Sequence, residues 1–471
     1  MPNSVESLLT ITQRNLKAYG EEVVEQRAVP DFRDGLKPVH RFILWACYGL
    51  GLKHGTPFRK AARTVGEVIG KYSPHGDQTT YDAMVGLTGT KSDDGKVWIT
   101  KNQCVPLIEG YGNWGDNIDN AAAMRYTEAR LSEFSTLYML DPTYLAVVDY
   151  VPNFSEDEKV PIVLPAKLPV LLLNGSVSIA FGVSAECPSF AMEGVVQLVR
   201  RCLEGENLSP LDCAKVVVFE PVYGGDCISD KKEVLEFFKN GCGSLKFLPT
   251  MVVDTKKKMI TVTSACPGLT SQTSWQTLAL NLSAMQIVKS VSDSTGRAGF
   301  KFEITAQRGV DFDEFVDKIT SMLVRKQSYD IGVTERELKG VEFGRTTVPS
   351  ILKDWCAWRV EIEIKVIKYL IGLDRQKLKR LELMLLAVNH LKIIMDSLTK
   401  EDSAAYLVKT LKITLEDANT ILDLKVRQLK SLEAAKLKAT IKSTEASITS
   451  LTRDLKKPQI RILKDLQTIK V

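Results

Sequence analysis

At 471 residues the chain is too long for one hydrophobic core and points to roughly two to four domains. Hydrophobic and charged fractions of 44% and 25% are those of a soluble protein; no apolar run could span a bilayer, and no signal-like start precedes the first helix. Nine cysteines without a Cys-x-x-Cys read as reduced thiols of a cytoplasmic compartment, and the net charge of +5 is gathered into patches that favour a polyanionic partner.

The first of those patches runs from Arg27 to Lys71, with nine Lys/Arg against three Asp/Glu. Apolar spacing predicts a first helix over Leu8 to Glu25. "AVPDFRDGLKPVHR" (Ala28 to Arg41) reads as a loop punctuated by Pro30, Gly35 and Pro38. "HRFILWACYGLGL" and "FRKAARTVGEVIGKY" read as helices, and "SPHG" leads to Asp77, an expected N-cap for a helix ending near Leu87. Two helices joined by so short a turn can lay the second in a DNA major groove. "KVWIT" alternates as a strand, and "CVPLIEGYGNWGD" reads as a Gly-rich, wing-like loop. Leu131, Phe134, Leu137, Tyr138 and Leu140 then share one helical face, which places Tyr126 at a helix N-terminus.

Between Asp141 and Val341 strand-like stretches ("YLAVVDYV", "VLLLNGSVSIAFGV", "AKVVVFEPV", "MITVTSA", "FKFEITA") alternate with helices such as "TLALNLSAMQIVK" and "FDEFVDKITSMLV". The nearest approach to a P-loop, "GTKSDDGKV" at Gly89 to Val97, has one residue too many and reads as a hairpin turn. The last third lacks Gly and Pro between Gly372 and Pro458. Ala434, Leu437, Ile441, Thr444, Ile448, Leu451 and Leu455 keep a heptad seam there, and Trp355, Ile362, Val366, Tyr369 and Leu373 give an outgoing stripe. The fold class is therefore multidomain α+β, ending in a long antiparallel coiled coil with a small helical knob. The expected boundaries are 1–140 (helix-turn-helix with wing), 141–341 (α/β), 342–395 (outgoing arm), 396–430 (knob) and 431–471 (returning arm and tail).

Two readings of Arg125-Tyr126 compete. A tyrosine beside a small-residue run packs a core, and Arg125 then bridges to Glu128; alternatively the phenol is a nucleophile and the guanidinium its cation. His75 lies in a turn, where it could stabilise developing charge, whereas His54 and His390 read as structural. His40 sits beside Lys37 and Arg41, a grouping suited to phosphate; a solvated basic loop is the competing reading for Arg27, Lys37 and Arg41. No hard-metal cluster stands out, since Asp93-Asp94 and Glu156-Asp157-Glu158 read as polar turns.

Several segments together resemble one family. "QRAVPDFRDGLKPVHR", "KYSPHGDQTTYD", "YGNWGDNIDNAAAMRYTEARL", "LPVLLLNGSVSIAFGVSAECP" and "ANTILDLKVRQLKSLE" resemble the DNA breakage–reunion subunit of type IIA topoisomerases, the gyrase A type, in the family's order and over nearly the whole chain. The resemblance implies a winged-helix DNA-gate domain, an α/β tower and a coiled coil whose knob is the exit gate. It implies that Tyr126 is the nucleophile forming a 5′-phosphotyrosine link and that Arg125 stabilises the transition state. Arg27, Lys37, His40, Arg41 and His75 fall on positions that hold or polarise the DNA backbone, and Ile179 on the apolar wedge that bends DNA. The implied assembly is a homodimer joined at the exit gate, with double-stranded DNA and a large partner subunit that carries the ATPase and the acidic Mg²⁺ site; ATP and Mg²⁺ are both expected on that partner, and no metal on this chain.

This sequence departs from the family pattern in three places. Ser73 replaces the first histidine of the usual His-Pro-His turn. Gln78 stands where bacterial enzymes carry a serine tied to quinolone sensitivity, while Asp82 keeps the acidic partner. The third is the want of a DNA-wrapping tail, which is most like the T-even-type bacteriophage form and implies relaxation without negative supercoiling, in a host cytoplasm. A bacterial gyrase or topoisomerase IV A-type chain without its C-terminal domain, and a non-catalytic winged-helix architectural protein, are the alternatives.

Overall fold

The structure, a computed structural model of the chain, describes residues 8–23, 27–91, 98–100, 103–115, 120–180, 183–295, 300–337, 340–424 and 434–469. Among the described residues no helix is long and apolar enough to cross a membrane. The chain divides into two compact units, Met1–Arg359 with Ile469–Val471, and Val360–Thr468.

The first unit opens with α1 (Leu8–Val23), α2 (Pro38–Gly49), α3 (Ala61–Lys71) and α4 (Asp77–Leu87). The loop expected to reach Arg41 stops at Lys37, because Pro38 takes the start of α2, where its missing N–H and fixed φ cost nothing. Asp77 is the first residue of α4 rather than its cap; Gly76 holds the cap position, and the Asp77 carboxylate accepts the Gln78 N–H instead. Helices α2, α3 and α4 pack together through Ile43, Leu44, Val65, Val68 and Met84, all almost fully buried.

Beside them β1 (Arg59–Lys60), β2 (Thr88–Lys91), β3 (Trp98–Thr100), β4 (Ile108–Tyr111) and β5 (Glu128–Leu131) form a sheet in the order β1-β5-β4-β2-β3. Two expectations are corrected here. The Gly-rich loop contains β4, and the segment after Tyr126 is β5 rather than a helix. Ala129 and Leu131 turn fully inward while β5 pairs with β4 on one side and β1 on the other, so two long-range ladders outweigh the helical spacing. That spacing survives only as a short π-type turn at Ser135–Met139. The two arms of the expected hairpin do pair, Gly89 with Thr100 and Lys91 with Trp98; its turn, with Asp93 and Asp94, lies outside the described residues.

Farther along come α5 (Pro142–Leu145), β6 (Tyr150–Pro152), β7 (Lys159–Pro161), α6 (Val170–Asn174), β8 (Ser176–Ala180), β9 (Val183–Cys187), α7 (Met192–Leu203) and α8 (Pro210–Val216). Three stretches read as strands thus contain helix: Tyr144–Leu145, Val170–Asn174 and Ala214–Val216. Each is a short apolar run, in which a buried helix and a buried strand look alike. The polar trio Glu156-Asp157-Glu158 sits in the β6–β7 turn, organised by the Asn153 amide.

The unit is completed by β10 (Asp226–Cys227), α9 (Lys231–Asn240), β11 (Cys242–Leu248), β12 (Met251–Asp254), β13 (Met259–Val262), α10 (Gln272–Ser283), β14 (Val288–Asp293), β15 (Phe302–Ala306), α11 (Phe312–Leu323), β16 (Arg325–Asp330), β17 (Gly332–Glu337) and β18 (Gly340–Arg345). Three sheets result, β10-β11-β16-β9-β8, β12-β13-β15-β14 and the two-stranded β17-β18. Phe190, Phe219, Phe237, Phe238, Phe247 and Tyr329 meet edge-on or tilted to make the core of the first.

The part of the long α12 (Val348–Asn389) that belongs to the second unit, from Val360 on, buries Ile362, Val366, Ile367 and Ile371. Tyr369 and Leu373, expected in that stripe, are exposed; Ile367 and Ile371 take their place on the buried face. The helices Ala434–Asp454 and Pro458–Thr468 return antiparallel to it, since Asp374 accepts from Ser447 on the first and Glu363 pairs with Arg461 on the second. Of the predicted seam, Leu437 and Thr444 are the most buried. Between the arms, α13 (Leu391–Ser397), α14 (Ser403–Leu411) and α15 (Leu415–Leu422) enclose a small core of Ala387, Ile394, Leu407, Ala418 and Ile421.

Candidate functional site

Tyr126 closes a three-residue turn that leads into β5, and its N–H donates to Ala123 O at 2.8 Å. The turn is clamped to the start of α3: Ala62 N donates to Met124 O (3.3 Å) and Ala61 N to Thr127 O (3.0 Å). A helix N-terminus does stand beside the tyrosine, then, but it belongs to α3, and two of its unpaired N–H groups hold the chain rather than face an anion. From α4 the Tyr81 hydroxyl reaches Ala122 O (2.5 Å) and Thr127 Oγ1 (2.8 Å), one contact on each side of Arg125-Tyr126. Below, Trp114 Nε1 donates to Tyr111 O and Glu128 O, both at 3.2 Å. Gly110 is required there, since a Cβ would lie 2.5 Å from Trp114 Nε1.

This scaffold leaves the Tyr126 side chain 63% exposed, so it packs no core. The Arg125 guanidinium lies 4.8 Å from the phenol ring centroid. A hydrogen bond from Arg125, and then its charge, hold the phenol below its ordinary range, favouring the nucleophilic phenolate. The alternative bridge from Arg125 to Glu128 does not form, because Glu128 pairs with Lys60 at 2.9 Å. Arg59 and Lys60 on β1 and Arg63 on α3 are exposed beside the same turn. Sequence reasoning counted these three in the basic patch without singling them out, and it missed Tyr81; the β1–β5 pairing that gathers them has no local signature.

Lys37, His40 and Asp82 come together elsewhere, along a cleft of about 640 Å³ that is also lined by Gly175, Ser176 and Val177. Lys37 Nζ donates to Val177 O at 2.7 Å, and burial lowers its pKa. Burial, with Lys37 and Arg41 nearby, pushes His40 down to about 3. Arg41 departs from its expected role at the surface. It is 3% exposed, with Nε and Nη2 on the Asp34 carboxylate (2.7 and 3.0 Å) and Nη2 also on Leu36 O. Asp34 accepts Leu36 N and Leu164 N as well, so this ion pair ties the loop to the fold and has no face for a backbone phosphate.

Arg27 is exposed next to the buried pair Ala28 and Val29. His75 is exposed, with Nδ1 2.8 Å from the Ser73 hydroxyl; Ser73 thus orients the remaining imidazole of the turn. Gln78 Nε2 donates to Asp82 Oδ1 at 2.8 Å across one turn of α4. Ile179 is 77% exposed, the most exposed of the large apolar side chains described. It stands on β8, opposite Ser184, one residue before the end of the strand. Among the described residues no three His, Cys, Asp or Glu side chains are grouped to hold a metal ion.

The family of the DNA gyrase/topoisomerase IV A-type subunits matches residues 27–467. The chain is 30% identical over 442 residues to the A-type subunit of DNA topoisomerase 4 from Synechocystis sp., covering 90% of this chain and 47% of that protein. It is 29% identical to the A-type subunit of DNA gyrase from Streptococcus pneumoniae serotype 4, over 95% of this chain and 54% of the relative. With the A-type subunit of DNA topoisomerase 4 from Escherichia coli K12 the identity is 31%, over 92% of this chain and 57% of the relative. The chain spans about half the length of the curated relatives it matches.

Proposed function

Because the chain belongs to the A-type subunit family of DNA gyrase and topoisomerase IV, we propose that it is the DNA-cleaving and rejoining subunit of an ATP-dependent type IIA topoisomerase. The observation that carries this reading is the exposed Tyr126 phenol, lowered in pKa by Arg125 and rigidly backed by α3 and Tyr81. In the proposed step Tyr126 Oη, having lost its proton, attacks the scissile phosphorus. The bond from phosphorus to the 3′ oxygen breaks, that oxygen takes up a proton, and a 5′-phosphotyrosine ester remains. Attack by the 3′ hydroxyl reverses the step, so rejoining needs no outside energy. Arg125 meets the charge that builds on the phosphoryl oxygens, while Arg59, Arg63 and Arg27 neutralise neighbouring phosphates. His75, oriented by Ser73, takes in this reading the role of hydrogen-bond donor to the DNA backbone, and Ile179 that of a wedge between base steps.

The Mg²⁺ that the family implies finds no fit among the described residues: Glu128, the carboxylate nearest Tyr126 in the chain, is spent on Lys60. The proposal therefore assigns the acidic metal site and the ATPase to a partner subunit and routes no step through this chain's carboxylates. Winged-helix gate, tower and coiled-coil arms are the proposed roles of residues 1–140, 141–341 and the helical last third. The exposed apolar side chains Leu391, Met395, Leu398 and Leu415 on the knob suit an exit-gate homodimer contact. Ser73 and Gln78 support the closer likeness to the T-even-type bacteriophage form.

The test is to mix the chain with its partner subunit, Mg²⁺ and DNA, denature with detergent and measure protein covalently bound to DNA. Wild type should trap DNA and Tyr126→Phe should not. DNA binding without any covalent product, in the presence of the partner, would instead identify an architectural protein.

A further inference from the structure

Lys37 bears on a part of the proposed reaction that its charge alone does not suggest. β8 is the edge strand of its sheet, so the carbonyls on its outer side have no strand to pair with. One of them, Val177 O, is taken by Lys37 Nζ at 2.7 Å, across 140 residues of sequence. Val177 and Ile179 alternate with the buried Ser178, so the carbonyl that Lys37 grips lies two residues from the exposed Ile179, on the same strand. The β8–β9 hairpin is held in two other ways, by Gly175 at its root and by Ala180 and Val183 at its tip. Gly175, at φ 64°, makes the reversal out of α6, where a Cβ would lie 2.6 Å from Cys187 O. Ala180 and Val183 pack against Ala28 and Val29. On the outer backbone edge of β8 the hydrogen bond described two residues from Ile179 is that of Lys37. Lys37 as a residue is half-buried, and among the described residues no carboxylate lies within ion-pair distance of it.

Resting on the reading of Ile179 as a DNA wedge, we propose that Lys37 is a positioning residue for that wedge: it fixes the edge of β8 through Val177 O, so that Ile179 meets the duplex at a set height and angle. A phosphate contact needs the charge of Lys37. A strap on a carbonyl needs a donor of the right reach. These requirements separate experimentally.

The experiment uses the full chain with its partner subunit and a short duplex carrying a donor and an acceptor dye at its ends, so that bending is read by energy transfer and affinity by a salt titration. Lys37→Met keeps most of the stem and loses both charge and donor; Lys37→Gln loses the charge and keeps a donor that reaches one bond less far; Ile179→Ala removes the wedge. Thermal unfolding confirms that each variant is folded. The proposal expects the bent fraction to fall several-fold in Lys37→Met and to be partly restored in Lys37→Gln. The slope of log affinity against log salt should stay near wild type, where a lost phosphate contact would lower it by about 0.9 per protomer. In the Ile179→Ala background Lys37→Met should cost little further bending, because both act through one element. Full bending in Lys37→Met with a reduced salt slope, or independent effects of the two substitutions, would overturn it. If Ile179→Ala bends DNA normally while Tyr126→Phe still abolishes the adduct, the wedge assignment and this proposal fall, but the cleavage reading stands.

Discussion

Replacing Arg41 with alanine removes the guanidinium from a carboxylate that has no access to water. Asp34 is 0% exposed, and its oxygens are shared by Arg41 Nε (2.7 Å), Arg41 Nη2 (3.0 Å), Leu36 N (3.0 Å) and Leu164 N (2.9 Å). After the substitution two backbone N–H groups remain and the buried charge is uncompensated, which costs about 3–5 kcal/mol. With a urea slope of about 3 kcal/mol per molar, the upper end for ordinary domains, the unfolding midpoint should fall by roughly 1 M or more. Fluorescence is a suitable probe, because Trp45 lies on the same helix as Arg41. The double variant Arg41→Met with Asp34→Asn should recover much of the loss, since it removes both charges together. The DNA salt slope of the folded variant should match wild type. A midpoint shift below ~0.3 M, using that same slope, together with a salt slope reduced by about 0.9, would refute the argument and return Arg41 to the phosphate contacts.

Three further outcomes follow from the site. Arg125 lowers the Tyr126 pKa, so Arg125→Gln should raise it; cleavage near neutral pH should drop, and the inflection of the cleavage–pH profile should move to higher pH. Tyr81→Phe leaves Ala122 O and Thr127 Oγ1 without their shared partner, a loss of about 1–2 kcal/mol that should appear as slower adduct formation with DNA affinity retained. Gln78 is hydrogen-bonded to Asp82, leaving no hydroxyl–carboxylate pair on that turn of α4. Titration of cleavage complexes should therefore show a weak quinolone response that Gln78→Ser strengthens, and ordinary bacterial sensitivity in wild type would contradict this.

What the sequence determined by itself is what a short window can hold. The periods of α3, α11 and the returning helix are local, as is the alternation of β13 and β15, so each was legible from its own residues. The motif around Tyr126 was legible too, because small residues, a cation and a phenol are chemistry written in consecutive letters. Three things were decided only by the tertiary structure. Glu128–Leu131 carries a helical spacing yet is a strand, because β1 and β4 supply its hydrogen bonds from far away in sequence. Arg41 and Lys37 stand four residues apart in one basic run, and nothing in that run says that the first pairs with an Asp34 carboxylate also held by Leu164 N or that Val177 O receives the second. The helix end beside Tyr126 proved to be that of α3, already occupied by Met124 and Thr127 carbonyls. Residue type sets what a side chain is able to do, but its partner and its distance from water are fixed by how the chain folds around it, and for the basic run it is burial that separates a structural ion pair from a hand held out to DNA.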